Sequence, residues 1–245
     1  IAVLVNSVVA LLGAVRTAAH HPHRASGFAN ERVNAAIKGV AQRALQEGHV
    51  MLRRAAAELY GYLASLAGSG SLSMQMQFLI DQIVDTRHAD GRAACALALG
   101  QIYTCVGGLR ASPLTKTINS LTLSLATDPH PAVHACALDA LAQVIEAAGV
   151  AYEPYVRSTL GLMTRLLSLP THEPEGGSPG SSNLRVDWPA YPGIARVVSA
   201  LVGVLGPDLQ EAVSTRGVVY ALLLHLVQDG GDAAAKEALL GLQRL

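Results

Sequence analysis

The residues most similar to a metal site are three histidines near the start of the sequence, in the run His20-His21-Pro22-His23. Zinc is bound by tetrahedral ligands that a fold holds in fixed positions. This run lies in a predicted connection between helices, with no cysteine or acidic residue nearby, so the number and geometry of ligands are not met. We therefore predict that the chain binds no metal and no cofactor.

Two further groups could take part in phosphate binding or acid–base catalysis. Residues 68–71 read GSGS, but a phosphate-binding loop follows a strand and carries a lysine, whereas here a helix precedes the glycines. We interpret them as a turn between helices. Asp81 and Asp85 lie four residues apart on one predicted helical face, and paired carboxylates are catalytic only inside a closed cleft. With no GxSxG, HExxH or Ser/His/Asp pattern in the sequence, we predict no enzyme and assign no catalytic residue.

Charged residues inside the predicted helices have structural interpretations. Arg53 and Arg54 lie where HEAT-type units often carry arginines that bond to the ends of neighbouring helices. Asp139 and Glu146 are seven residues apart, which places them on one side of a predicted helix at 131–148 as a solvated polar edge. Neither pair indicates a binding site, so the protein-binding residues stay unknown from the sequence.

The three cysteines, Cys95, Cys105 and Cys136, match no zinc-binding spacing. Cys95 and Cys136 are 41 residues apart, which predicts equivalent buried positions in successive repeats and a reducing compartment. The chain has 18 basic and 18 acidic residues and no basic run. Because binding to phosphate backbones depends on clustered cations, nucleic acid is not an expected partner.

Four glycines, Gly68, Gly108, Gly149 and Gly206, each end a similar apolar segment and follow one another at intervals of 40, 41 and 57 residues. The composition is 51% hydrophobic but only 4% aromatic, which suits thin, closely packed helix pairs. A period near 40 with two helices per unit is typical of HEAT and armadillo repeats. We therefore predict an all-α fold, an α-solenoid of HEAT/armadillo-type helix pairs.

The predicted helices run over most of the chain. Their ranges are 1–19, 30–46, 49–67, 73–86, 90–107, 113–126, 131–148, 152–169, 188–205 and 208–228, with a last one from Asp232. The range 1–19 is interrupted by polar residues and short for a membrane span, so no direct membrane insertion is predicted. The whole of 1–245 is expected to be one solenoid segment, internal to a longer chain, with a flexible inserted loop at 171–187 that carries Ser178, Ser181 and Ser182.

Several residues are predicted to start or stop these helices. Asp90 is expected to cap the helix that follows it, and Asp128 to cap a turn before Pro131, which suits the first turn of a helix. Gly149 and Gly206 are expected in the left-handed conformation that ends a helix. Pro154 is expected in the first turn of its helix.

Beyond its period, the sequence resembles a particular family. The words are ALALGQIY followed by VGGL, then HACALDALAQVIEAAG and YEPYVRSTLGL, with MLRRAAAELYGYLASLAG at 51–68 and GPDLQ at 206–210. In this order, over roughly 30–228, they are similar to the central region of the large HEAT-repeat accessory proteins of the trans-Golgi clathrin adaptor.

This resemblance implies a non-enzymatic scaffold that supports vesicle traffic between the trans-Golgi network and endosomes. It implies binding to the clathrin adaptor complex through small linker proteins, self-association, and a cytoplasmic location peripheral to these membranes. The alternatives are an importin-type transport receptor or a regulatory-scaffold HEAT protein, for example one that serves a phosphatase. An importin would usually show acidic inner surfaces, which the zero net charge does not favour.

Overall fold

A computed structural model of the chain describes residues 2–21, 28, 30–47, 49–66, 69–85, 88–107, 115–128, 130–168, 190–206 and 208–245, and contains no strand among them. The helices are α1 (Ala2–His20), α2 (Glu31–Leu45), α3 (Val50–Leu66), α4 (Ser69–Asp85), α5 (Ala89–Val106), α6 (Thr115–Leu125), α7 (Pro131–Ala148), α8 (Val156–Ser168), α9 (Ala190–Leu205), α10 (Asp208–Glu211), α11 (Val213–Asp229) and α12 (Gly231–Arg244). A 3₁₀ helix, Gly149–Tyr155, precedes α8.

The helices form two compact units, Ile1–Leu121 and Thr122–Leu245, and α6 crosses the division between them. In the first unit, α3 packs between α1 and α5, with α2 against α3 and α4 against α5. In the second unit, α9 packs between α7 and α12, and α11 lies against α12. Each unit therefore stacks the first helix of one pair on the first helix of the next, which is the arrangement of a helical repeat protein.

The stacked helices are buried almost all round, and small residues make this possible. In α5 the run from Ala93 to Gly100 is buried without a break, and α7 likewise buries most of its length between Val133 and Ile145. Alanines let neighbouring axes approach, while each fully buried leucine or isoleucine stabilises the unit by about 1.5–3 kcal/mol. The low aromatic content is thus matched by close helix packing.

Several helix ends agree with the sequence interpretation. Pro131 begins α7, and the Asp128 carboxylate accepts a hydrogen bond from the backbone N–H of His130 at 2.9 Å. Gly149 and Gly206 have positive φ angles of 55° and 47°, as predicted for helix ends. Helix α5 ends at Gly107, with φ of 83°, one residue before the glycine chosen from the period; Gly68 and Gly108 lie outside the described residues.

Other boundaries differ from the prediction. Asp90 does not cap α5, because the helix begins one residue earlier and the cap position is His88, whose side chain makes no capping hydrogen bond. Residues 69–71 form the first turn of α4 rather than a turn between helices. Serine and glycine are tolerated there because the first backbone N–H groups of a helix have no intrahelical partner.

Two segments predicted as single helices are divided. Pro154 lies inside the 3₁₀ helix that precedes α8, because proline lacks the N–H that an α-helix would use at that depth. In the other segment, Ala212 has a non-helical ψ of 66° and separates α10 from α11. The predicted loop at 171–187, with its three serines, lies outside the described residues.

By length and composition alone, two stretches could cross a membrane, namely Ala2–His20 and Pro131–Ser168. The second is 56% buried inside the protein, because α7 is a core helix of its unit. The first is 17% buried, with Val8, Val15 and Ala18 covered where α1 meets α2 and α3. Core helices and membrane spans share this composition, so the absence of membrane insertion stays a prediction.

Candidate protein-binding groove

The structure does not bring together the residues that could bind a metal or act as paired carboxylates. His20 packs edge-on against the Tyr62 ring, with the ring centroids 5.8 Å apart, and His21 is exposed. In the part of the chain that the structure describes, no three His, Cys, Asp or Glu side chains are placed to hold an ion. Asp81 is exposed and accepts a hydrogen bond from Gln77 Nε2 at 2.8 Å.

The cysteines are free thiols in apolar surroundings. Cys95 is buried, as predicted, and Cys105 and Cys136 are partly buried. Burial raises the pKa of Cys95 to about 12, and burial with a smaller contribution from the Glu58 charge raises the pKa of Cys105 to about 11. The nucleophile in cysteine chemistry is the thiolate, so Cys95 and Cys105 are protonated and weakly reactive near neutral pH.

The raised pKa of Cys95 predicts a loss of stability in alkali. A thiol whose pKa rises from 9.0 in the unfolded chain to about 12 in the folded protein stabilises the folded state below pH 9, and this contribution is lost as the pH rises toward 12. We expect the melting temperature to fall more steeply between pH 9 and 11 in the unaltered chain than in Cys95→Ala. Parallel slopes in thermal scans over this range would contradict the assignment.

Arg53 joins two neighbouring helices of the first unit, as the sequence interpretation suggested. Its guanidinium Nη1 donates to the Asp90 carboxylate and, at 3.4 Å, to the backbone oxygen of Asp90, in the first turn of α5. The Arg53 side chain is only 8% exposed, whereas that of Asp90 is 50% exposed. Arg54, by contrast, is exposed. Arg53 therefore acts in the packing of α3 on α5.

The interpretation of Asp139 and Glu146 as a solvated edge is wrong. Both carboxylates face Arg196 of α9, which is 57 residues beyond Asp139 in sequence. Arg196 Nη1 donates to the Asp139 carboxylate, and Nη2 lies 3.9 Å from Glu146 Oε2. The three side chains join α7 to α9, the next first helix of the stack. Sequence reasoning missed Arg196 because the partner lies one repeat away.

With these groups placed in structural contacts, the main candidate site is a groove in the first unit, between α2, α4 and the start of α5. Its volume is about 380 Å³, at the small end of the usual range for ligand pockets of about 300–1,000 Å³. The lining residues are Gln42, Leu45, Gln46, Phe78, Leu79, Gln82, His88, Asp90, Gly91 and Cys95. We call this set the α2–α4 groove.

The α2–α4 groove has an apolar floor and a polar rim. Leu45, Leu79 and Cys95 are buried and form the floor, while Phe78, which is 37% exposed, stands at the side. Much of the rim consists of the side-chain amides of Gln42, Gln46 and Gln82. A floor and rim of this kind are typical of sites that bind an apolar side chain together with its polar backbone.

The charge of the groove is small because its acidic residue is already paired. Asp90 binds Arg53, and the remaining rim groups are the glutamine amides and His88. Each glutamine offers one carbonyl acceptor and two N–H donors, which match both groups of a peptide bond. Spacing could have indicated part of this rim, since Gln42 and Gln46 are four residues apart and therefore share one face of α2.

A buried tyrosine lies beneath this rim. Tyr60 of α3 is completely buried, and burial raises its pKa to about 12, while the adjacent Gln42 amide acts in the opposite direction and the Cys95 thiol adds to the rise. Gln42 and Cys95 both line the groove. The phenol is thus placed directly below two groove residues.

Two other surface depressions have less buried floors. One, between α1 and α2, is lined by Leu4, Ser7, Val40, Arg43, Gln46 and Glu47. The other lies along α12, where Leu239 is 54% and Leu240 is 42% exposed. Neither encloses apolar residues as the α2–α4 groove does.

The stacked helix pairs define the chain as an all-helical repeat protein of the HEAT/armadillo type. No protein-family model matches it. The chain is similar to Protein SWEETIE of Arabidopsis thaliana, with 31% identity over 175 residues that cover 70% of this chain and 7% of that protein. It therefore spans about 7% of the length of this relative.

Solved structures support the same fold. The karyopherin Kap121p, solved bound to the extreme C-terminus of the protein phosphatase Cdc14p, matches with a TM-score of 0.61 and 14% identity over 86% of this chain and 19% of its own. A designed armadillo repeat protein in complex with the peptide (KR)4 matches with a TM-score of 0.55 and 13% identity over 96% and 91%. The predicted HEAT/armadillo fold is confirmed; the clathrin-adaptor resemblance stays a prediction.

Proposed function

We propose that this chain is a segment of a non-enzymatic scaffold that supports clathrin-adaptor-dependent vesicle traffic between the trans-Golgi network and endosomes. The observation that carries the proposal is the ordered series of sequence words, including ALALGQIY, HACALDALAQVIEAAG and YEPYVRSTLGL, that resembles the adaptor's HEAT-repeat accessory proteins. The expected partners are the clathrin adaptor complex and its linker proteins, and self-association belongs to the same proposal. The expected location is cytoplasmic, peripheral to these membranes.

The site chemistry supports a binding role rather than catalysis. Within the described residues, Cys95 and Cys105 are protonated thiols, and Asp90 and Asp139 are held in ion pairs between helices. The α2–α4 groove instead offers an apolar floor and amide groups, which are features of protein recognition. Structural neighbours include proteins solved with a protein terminus or a peptide bound.

An importin-type transport receptor is the alternative, since Kap121p shares the fold. At 14% identity the likeness concerns the fold, and the zero net charge of this chain gives no acidic cargo surface. A regulatory scaffold for an enzyme is the other alternative. Each predicts a different direct partner, so one set of binding assays separates them.

The test measures direct binding of the purified chain to purified candidates: the clathrin adaptor complex with its linker proteins, a nuclear-transport GTPase, and a protein phosphatase catalytic subunit. We expect saturable binding to the adaptor and linker proteins alone, and recruitment of the tagged chain to trans-Golgi and endosomal membranes in cells. The same chain unfolded by heat is the control. Binding to the GTPase or the phosphatase without the adaptor would replace the proposal with the corresponding alternative.

A further inference from the structure

The hydroxyl of Tyr60 is a buried polar group without a hydrogen-bond partner. Its side chain is completely buried, and no acceptor or donor lies at normal hydrogen-bond geometry from the hydroxyl oxygen. The Gln42 amide is close enough to influence the phenol, but it does not complete a hydrogen bond. Native proteins satisfy nearly all buried polar groups, so an exception beside a groove calls for an explanation.

We propose that the α2–α4 groove binds a short, uncharged segment of a partner protein that carries one large apolar side chain. This inference rests on the protein-binding role proposed above and names the class of partner. The apolar side chain would lie on Leu45, Leu79 and Cys95, against Phe78. The peptide groups of the segment would bond to the amides of the rim.

Charge complementarity favours an uncharged segment. The Asp90 carboxylate is neutralised by Arg53, and the three glutamines carry no charge, so a charged side chain entering the groove would lose water without gaining a counter-charge. An amide rim, by contrast, replaces the hydrogen bonds that a peptide backbone makes with water. The groove therefore selects against acidic and basic segments.

Tyr60 acts in this proposal as a positioning residue. Gln42 borders the groove and lies beside the phenol, so a segment that holds the Gln42 side chain in place brings its carbonyl oxygen to the Tyr60 hydroxyl. The hydroxyl then gains its missing bond only in the complex. Binding and folding should consequently respond differently to removal of this hydroxyl.

The test begins with a display library of random short peptides selected on the purified chain, and the enriched peptides are then measured by fluorescence anisotropy. We expect enriched peptides to be uncharged with a leucine, methionine or phenylalanine. Gln82→Ala and Phe78→Ala should each weaken their binding about tenfold. Gln77→Ala and Val84→Ala are the matched controls, because Gln77 and Val84 are exposed on the same helix outside the groove, and they should leave binding unchanged.

Tyr60→Phe separates a positioning role from a structural one. We expect it to melt at the same or a higher temperature than the unaltered chain, because it removes an unpaired buried hydroxyl, and to bind the selected peptides about fivefold more weakly. A lower melting temperature with unchanged binding would overturn the role of Tyr60. Enriched peptides that are charged, or whose binding survives Gln82→Ala and Phe78→Ala, would overturn the groove proposal.

The outcome also distinguishes this inference from the proposed function. Adaptor binding that persists in Gln82→Ala and Phe78→Ala, with no groove-dependent peptide recovered, leaves the scaffold proposal intact and refutes the groove. Groove-dependent peptides recovered from a chain that does not bind the adaptor support the groove and refute the adaptor proposal.

Discussion

Replacing Gly61 by alanine is expected to destabilise the first unit by about 2 kcal/mol, although glycine-to-alanine changes inside helices usually stabilise by about 1 kcal/mol. A Cβ at this position would lie 2.7 Å from the backbone oxygen of Gln101 and 2.9 Å from its carbonyl carbon. Backbone atoms cannot rotate away, so α3 and α5 must separate. Overpacking of this kind costs about 1–3 kcal/mol.

The matched control is Gly39→Ala in α2, where an added Cβ meets no atom within 4 Å. Alanine there should stabilise the unit by about 0.5–1 kcal/mol, because it favours the helix without a collision. Urea denaturation followed by circular dichroism measures both, and amide exchange in α3 and α5 locates the loss. Equal stabilisation by the two alanines would show that the close contact between α3 and α5 is absent in solution.

A similar close approach recurs in the second unit. At Gly193 of α9 an added Cβ would lie 2.8 Å from the Cβ of Leu138 in α7, and at Gly241 of α12 it would meet the Ser199 side chain. Ser199 in turn donates a hydrogen bond to the Glu237 backbone oxygen at 2.8 Å. In both units, small residues thus set the distance between successive first helices, which explains why this composition suits the fold.

The helix layout was predictable from the sequence because it depends on local signals. The 40-residue period, the apolar spacing and residues such as Pro131 and Gly149 act within one or two turns of chain. The helix-pair fold follows from them. Asp90 shows the limit of local reasoning: its type suits a helix cap, but a buried arginine 37 residues earlier takes its carboxylate.

The groove and the interhelix ion pairs were not predictable, because each depends on residues brought together by stacking. Asp139 and Glu146 read as a polar edge until Arg196 is placed beside them, 57 residues after Asp139. The α2–α4 groove combines side chains from three helices, and nothing in the spacing of Gln42 and Gln82 indicates that they share a rim. The unpaired hydroxyl of Tyr60 is likewise a property of packing alone.

The second large effect is expected at Asp90, whose replacement by alanine should destabilise the first unit by about 3 kcal/mol. The loss leaves the guanidinium of Arg53, which is 8% exposed, without its carboxylate. Arginine cannot lose its charge in a protein, so the cation stays buried with only the backbone oxygen of Asp90 as a partner. The helix also loses a favourable acidic residue from its first turn.

Replacing the other partner should cost much less, although it breaks the same ion pair. In Arg53→Met the side chain still fills the space between α3 and α5, and the Asp90 carboxylate that remains is half exposed and keeps its water. We expect a loss of about 1 kcal/mol, and the double variant should resemble Arg53→Met because no buried cation remains. Urea denaturation of the three variants gives the order directly. If Arg53→Met were as damaging as Asp90→Ala, the contribution would come from the ion pair itself rather than from the penalty of an unpaired buried charge.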